Sequence, residues 1–232
     1  MRVWGLIPAR GGSKSIPLKN LAPIAGRPML EYVAALAAKL VGIEKVIGST
    51  DHPEIAEVFR AFGHEVHNRS AELSNDLSRV DDLAREIIAA AGPDAPDALL
   101  LLQPTSPFCE VSEIHSLMDE LRMNPDAMSA QTITRVPHNS HEWNQRLFVD
   151  GLVEFVHKAE RRSGYRKQEK PSRWVFGNAV ITRCEALSQG EDFFAEPSRG
   201  IEIGRLNSFD IDDSNDLIIA DAISRCWWRE GD

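Results

Sequence analysis

The stretch Leu6-Ile7-Pro8-Ala9-Arg10-Gly11-Gly12-Ser13-Lys14-Ser15-Ile16-Pro17-Leu18-Lys19-Asn20 decides how the rest of this chain is read. An apolar run, Val3 to Ile7, leads into it and stops at Pro8, as a β-strand stops where a backbone donor is lost. Two adjacent glycines follow. Having no Cβ, they let the backbone fold closely around a ligand and aim its N–H groups inward. Arg10, Lys14 and Lys19 flank them, Arg2 and Arg27 lie near, and no Asp or Glu precedes Glu31. In a chain of formal charge −9, so basic an opening points to a polyanion, of which a nucleoside triphosphate is the simplest. The stretch carries neither G-x-x-x-x-G-K-[ST] nor G-x-G-x-x-G. A surface turn with incidental charge is the competing reading. The position directly behind an opening strand favours a phosphate loop.

Downstream, Leu30, Val33, Ala34, Ala37 and Leu40 recur at helical spacing behind Pro28. A strand over 45–51 ends in Ser49-Thr50-Asp51, and Thr50 or Asp51 is suited to cap a helix over 53–62. A poorer strand, 64–67, completes β-α-β-α-β. That alternation implies a parallel sheet with helices on its faces and ligands at the carboxyl ends of its strands. A helix over 82–91 precedes the continuous apolar run 97–102, as a strand buried on both faces should read. A helix over 111–122, strands over 128–136 and 174–181, and a helix from 214 to about 225 extend the pattern. The fold class expected is α/β: a Rossmann-like three-layer α/β/α arrangement with a mostly parallel sheet.

With 232 residues, 43% of them hydrophobic, the chain fits one domain, 1–232. The alternation breaks over about 137–173, which reads as a small extension rich in Lys and Arg. A pI near 5.3 argues against nucleic acid as a partner. No apolar stretch approaches a membrane span, and the opening run is too short for a signal-peptide core. Cys109, Cys184 and Cys226 are odd in number and widely spaced, fitting neither a disulfide framework nor a zinc site, so the cytoplasm is the expected compartment. His138, His141 and His157 suit no compact metal motif.

A second decisive stretch is Ser208-Phe209-Asp210-Ile211-Asp212-Asp213-Ser214-Asn215-Asp216. In an extended segment Asp210 and Asp212 share a face and Ile211 points the other way, into a core. Two convergent carboxylates repel unless a cation sits between them, and Mg²⁺ suits a site of few carboxylates plus phosphate oxygens and water. Asp213 or Ser214 is placed to cap the helix that follows. Between the two stretches, Gln103-Pro104-Thr105-Ser106-Pro107 ends the apolar strand. It delivers a neutral donor and acceptor and two hydroxyls on a proline-stiffened turn.

The fifteen residues from Leu6 to Asn20 closely resemble the first motif of the acylneuraminate cytidylyltransferases, the CMP-sialic acid synthetases, with Ser15 standing for the usual Gly. Leu102 to Pro107 matches that family's LQPTSP in full, and Asp210-Ile211-Asp212 with Asp216 matches its metal motif. The resemblance implies a nucleotidyltransferase fold and a cytidylyltransferase that couples CTP to the anomeric hydroxyl of an acidic 2-keto sugar. It also implies a homodimer formed through the extension, which reaches into the neighbouring site. Arg10 and Lys19 would hold the triphosphate and its developing charge, with Ala9, Gly11, Gly12, Asn20, Arg69 and Ser78 on the nucleotide. Gln103, Thr105, Ser106 and Asn178 would meet the sugar. Asp210 and Asp212 would bind Mg²⁺, and Asp210 would join Arg10 and Lys19 in catalysis.

The chain departs from the family at several points. Ser70 replaces a proline beside Arg69, although Asp76 matches. Val80 stands where a nucleotide-contacting Ser is usual, with Ser78 two residues early. Phe108-Cys109 replaces Leu-Arg, and Gly177-Asn178 reverses the usual Asn-Gly. Phe193-Phe194 reads as an acyl pocket or a core pair, and Trp227 and Trp228 as packing or interface residues. Two alternatives stand beside this reading: a nucleotidyltransferase using another NTP or a sugar 1-phosphate, and a non-catalytic nucleotide-binding module.

Overall fold

The opening strand is buried from Val3 to Ile7, as an interior strand of the sheet must be. The computed structural model describes residues 1–74, 78–164 and 166–227; Asp76 and Trp228 lie outside them. The first strand is β1 (Val3–Pro8). A small hairpin, β2 (Pro23–Ile24) and β3 (Arg27–Pro28), leads into α1 (Met29–Ala38). Then come β4 (Lys45–Thr50), α2 (Pro53–Ala61), β5 (Glu65–Asn68) and a single turn, α3 (Ala71–Ser74). The middle of the chain gives α4 (Val80–Ala91), β6 (Ala98–Leu102), α5 (Val111–Met123) and β7 (Ser129–Arg135). The extension carries a hairpin, β8 (Arg146–Val149) and β9 (Leu152–Phe155), and a short α6 (Lys158–Ser163). The chain returns through β10 (Trp174–Arg183), α7 (Cys184–Ser188), β11 (Ser198–Glu202) and α8 (Ser214–Trp227).

The seven-stranded sheet runs β11-β7-β10-β6-β1-β4-β5. Strands β6, β1, β4 and β5 are mutually parallel, β10 is antiparallel to both its neighbours, and β11 is parallel to β7. Strand period explains the two-sided core. Val3 and Ile7 of β1, with Leu100 and Leu102 of β6, pack with residues of α1, α2 and α5. Trp4 and Leu6, with Leu99 and Leu101, pack on the other face with α4 and α7. Strands covered on both faces read as unbroken apolar runs. Gly48 of β4 has no Cβ for a reason: one placed there would lie 2.2 Å from the Phe59 ring of α2.

A third, smaller core sits outside these layers. It gathers Ile16, Ile24, Met29, Phe108, Ile211 and Ala220, with Phe209 and Leu217 against it. Ile16 belongs to the basic glycine stretch and Ile211 lies between the two aspartates. One apolar cluster therefore binds both stretches, and burying side chains of this size stabilises each by about 1.5–3 kcal/mol.

The expected cap of α2 differs. His52 is the cap residue and no side chain closes that end. Thr50 Oγ1 instead accepts the His52 N–H at 3.1 Å, and the Asp51 carboxylate turns toward the glycine stretch.

Candidate active site

The glycine turn leaves β1 at Ala9, which is buried and donates its N–H to Ser49 O at 2.9 Å. Gly11 donates its N–H to Asp51 Oδ1 at 2.7 Å. A Cβ on Gly11 would come within 2.9 Å of His52 Cβ, so a neighbouring side chain, as well as any ligand, requires glycine here. Asn20 is buried, and its Nδ2 donates to Arg10 O at 2.9 Å, bracing the turn from within. Lys19 reaches across to the carboxylate stretch. Its Nζ donates to Ile211 O at 2.8 Å and stands 4.0 Å from Asp212 Oδ1.

These contacts frame a cleft of about 440 Å³ at the carboxyl ends of β1 and β6. Arg10, Gly12, Lys14, Lys19 and Asn20 line it from the glycine stretch. Leu101, Gln103 and Thr105 come from β6 and its turn, Val80 from α4, and Asp212 from the acidic stretch. A neutral amide and a hydroxyl thus share the cleft with a wall of cations and the Asp212 carboxylate.

Asp210 is half-buried, and Ser106, itself buried, donates its hydroxyl to Asp210 Oδ1 at 3.3 Å. Burial pushes the Asp210 carboxyl above the usual carboxylate range and Asp212 adds to the rise, while hydroxyls from Thr105 and Ser106 and the charge of Lys19 oppose it. Arg69 lies close enough to Asp51 and Arg10 to feel both, and burial is the main cause that lowers its guanidinium from the ordinary value. Among the described residues there is no group of three or more His, Cys, Asp or Glu poised to hold a metal. Asp210 and Asp212 remain as two mutually repelling carboxylates, Asp212 lining the cleft, a donor set that suits Mg²⁺ once phosphate oxygens and water complete it.

The third aspartate of that motif has a different task. Asp216 Oδ2 accepts the N–H groups of Asp212 and Asp213, and Asp213 Oδ1 accepts those of Asn215 and Asp216. This reciprocal cap starts α8 and fixes the segment from which Asp212 projects.

Of the expected site residues, Ala9, Gly11, Arg69, Ser106 and Asp210 stand outside the lining of the cleft, and Ser78 and Asn178 are engaged elsewhere. Ser78 donates its hydroxyl to Glu72 O within its own loop, and Val80 is the residue that faces the ligand space. Asn178 is buried in β10, where its Oδ1 accepts from the Thr132 hydroxyl and its Nδ2 donates to Asn207 O, both at 2.9 Å. It clamps the sheet to the loop that leads to Asp210. Of the aromatic pair, Phe193 is core and Phe194 is exposed, edge-on to Phe176 at 5.1 Å. In the extension, Lys158 pairs with Glu154 and Arg173 with Glu142, while Lys170 donates to the neutral Asn144 Oδ1. His141 has both ring nitrogens occupied by backbone groups. Sequence reasoning missed Asp51 as the holder of the glycine turn; its signal was an acidic residue at the end of the strand adjacent to β1.

The chain resembles known proteins. A family model described as Cytidylyltransferase matches residues 4–187. The chain is 27% identical over 228 residues to a CMP-N,N'-diacetyllegionaminic acid synthase of Legionella pneumophila, covering 96% of each. It is 42% identical over 105 residues to an N-acylneuraminate cytidylyltransferase of Oncorhynchus mykiss; that match spans 45% of this chain and about a quarter (24%) of the fish protein. Among solved structures it resembles a CMP:2-keto-3-deoxy-manno-octonic acid synthetase complexed with CTP, with a TM-score of 0.73 and 19% identity over 98% of this chain and all of the other.

Proposed function

The chain belongs to the cytidylyltransferase family, and on that premise we propose that it joins CTP to the anomeric hydroxyl of a nine-carbon 2-keto sugar acid, sialic acid or a related nonulosonate, releasing pyrophosphate. The single observation that carries this reading is Lys19, which touches the glycine stretch's own cleft and the backbone between the two aspartates at once. A triphosphate lying along Arg10, Gly12 and Lys14 would present its α-phosphate toward Lys19 and the carboxylates.

In the proposed reaction the acceptor hydroxyl oxygen bonds to the α-phosphorus, the bond from that phosphorus to the bridging oxygen breaks, and pyrophosphate departs in line. The hydroxyl proton leaves as the new bond forms, and one of the two aspartates would take it. The chain's part is to position reactants and meet developing charge. Arg10 and Lys19 hold the triphosphate, Asn20 keeps the turn shaped, Arg69 closes the nucleotide side, and Gln103 and Thr105 orient the acceptor. Asp210 and Asp212 would hold Mg²⁺, which when bound neutralises phosphate charge. CTP as substrate and thiols outside any disulfide fit action in the cytoplasm, and no described helix is long and apolar enough to cross a membrane.

We also read the extension as a dimer contact. Leu147, Phe148, Val149, Leu152 and Val153 of the hairpin are each more than half exposed, an apolar patch that water disfavours. The deciding assay pairs each NTP with a panel of eight- and nine-carbon keto acids and sugar 1-phosphates and reads pyrophosphate release. Turnover with CTP and a nonulosonate is expected. Turnover only with a sugar 1-phosphate, or CTP binding without turnover on any acceptor, overturns the reading.

A further inference from the structure

The first turn of α4 faces two ways. Val80 lines the nucleotide cleft, while Asp81, the next residue, is a carboxylate only 4% exposed. Asp81 Oδ1 accepts the N–H of Phe193 at 3.0 Å, and Oδ2 accepts from Arg79 Nε at 3.0 Å. Arg79 also stands 3.7 Å from Asp192, whose Oδ1 accepts the N–H of Phe194 at 2.8 Å. The Phe193 amide, 112 residues away from Asp81 in sequence, is thereby tied to the start of α4, and Asp192, paired with Arg79, holds the next amide. The consequence is a division of labour between two phenylalanines: Phe193 is driven into the core and Phe194 is left 41% exposed against Phe176.

The register carries Phe176 past the carboxyl end of β6, the end at which the cleft opens. Ala179 of β10 sits opposite Leu102, so Phe176 runs past the end of β6 alongside the segment that begins at Gln103. It packs with the α4-side core, the face that Leu101 shares. A buried charge is costly, and a well-packed apolar side chain would serve stability at least as well. What the carboxylate adds is an acceptor aimed at one amide.

We propose that Asp81 is a positioning residue: it holds the turn of Phe193 and Phe194 against α4 and so sets the Phe176–Phe194 edge as the acceptor-side wall of the cleft. The inference rests on the acceptor reading given under Proposed function. Its test is steady-state kinetics on Asp81→Ala, Asp81→Asn and Phe194→Ala, varying acceptor at saturating CTP and the reverse. Asp81→Ala is expected to raise the acceptor KM about tenfold while the CTP KM stays within about twofold. Asp81→Asn keeps an oxygen for the Phe193 amide and restores the acceptor KM to within about threefold of the parent. Phe194→Ala, an exposed change, raises the acceptor KM by itself, and Asp81→Asn adds nothing on top of it. Equal rises in both KM values, a lowered melting temperature with unchanged KM values, or failure of Asn to rescue overturns the proposal. Should Asp81→Ala not fold, the Asn and Phe194 variants still decide it. Absence of turnover by the unaltered chain on every keto acid overturns the functional reading and this inference with it. Normal turnover with an unmoved acceptor KM in the variants overturns this inference alone.

Discussion

Asp210 is held in a setting that costs stability. Burial raises its carboxyl above the ordinary range, so the folded chain holds that proton more tightly than the unfolded chain does. The sign follows: stability from this group is fully present below the unfolded pKa and is lost as pH rises through the folded one. Near neutrality the ionised carboxylate is therefore a strain. Asp210→Asn is expected to abolish turnover while its melting temperature equals or exceeds the parent's, by about 2–4 °C for each kcal/mol of relief. Calorimetry at pH 7.5 checks it, and a clear fall in melting temperature would sink the argument. At this scale Arg10, Lys19, Gln103 and the Asp210/Asp212 pair were legible, because charge and small residues cluster in short stretches. Asn178 was not. The register of β10 against β7 shifts between Phe176 and Val180, and the Thr132 hydroxyl fills the gap by accepting the N–H groups of Asn178 and Ala179. A bulge re-aims side chains, and period-two counting from the strand end cannot see it.

Hairpin β8–β9 is the element most at odds with its surroundings. Its turn is Asp150-Gly151, both with positive φ (50° and 79°), between the paired residues Val149 and Leu152. Asp-Gly flanked by apolar residues is the strongest short-range hairpin signal, and it stood in the sequence. A count of basic residues over 137–173 hid it. If the hairpin seats on a second copy, Phe148→Glu with Leu152→Glu should leave the fold intact and yield monomers. Sedimentation at micromolar concentration reads the outcome; an unchanged oligomer, or a parent chain that is already monomeric, removes the dimer reading. Elements of the central sheet were easier. Runs such as Ala98–Leu102 must be apolar at every position when helices cover both faces. The short β11 carries no such run, and β10's antiparallel course is set by the extension that precedes it rather than by its own residues.

Across the whole molecule, the third core decides whether a site exists. Ile16 and Ile211 meet in it, and their flanking charges then share one cleft. Ligand that bridges both arms should stabilise the entire chain. CTP with Mg²⁺ at one hundred times its Kd adds about 2.7 kcal/mol, or roughly 5–10 °C in melting temperature for a chain of this size. Thermal scans with each NTP test it; an equal shift with every NTP would remove the case for cytidine. The βαβ alternation was legible because its periods change visibly from strand to helix. The meeting of the two arms was not, since nothing local records it. Lys19 donates to Ile211 across 192 positions. Translation proceeds from the amino end, so the basic turn leaves the ribosome long before the segment that completes it. A nascent chain can lay down most of its sheet and still be unable to act on nucleotide. Competence would wait for the segment that carries Ile211.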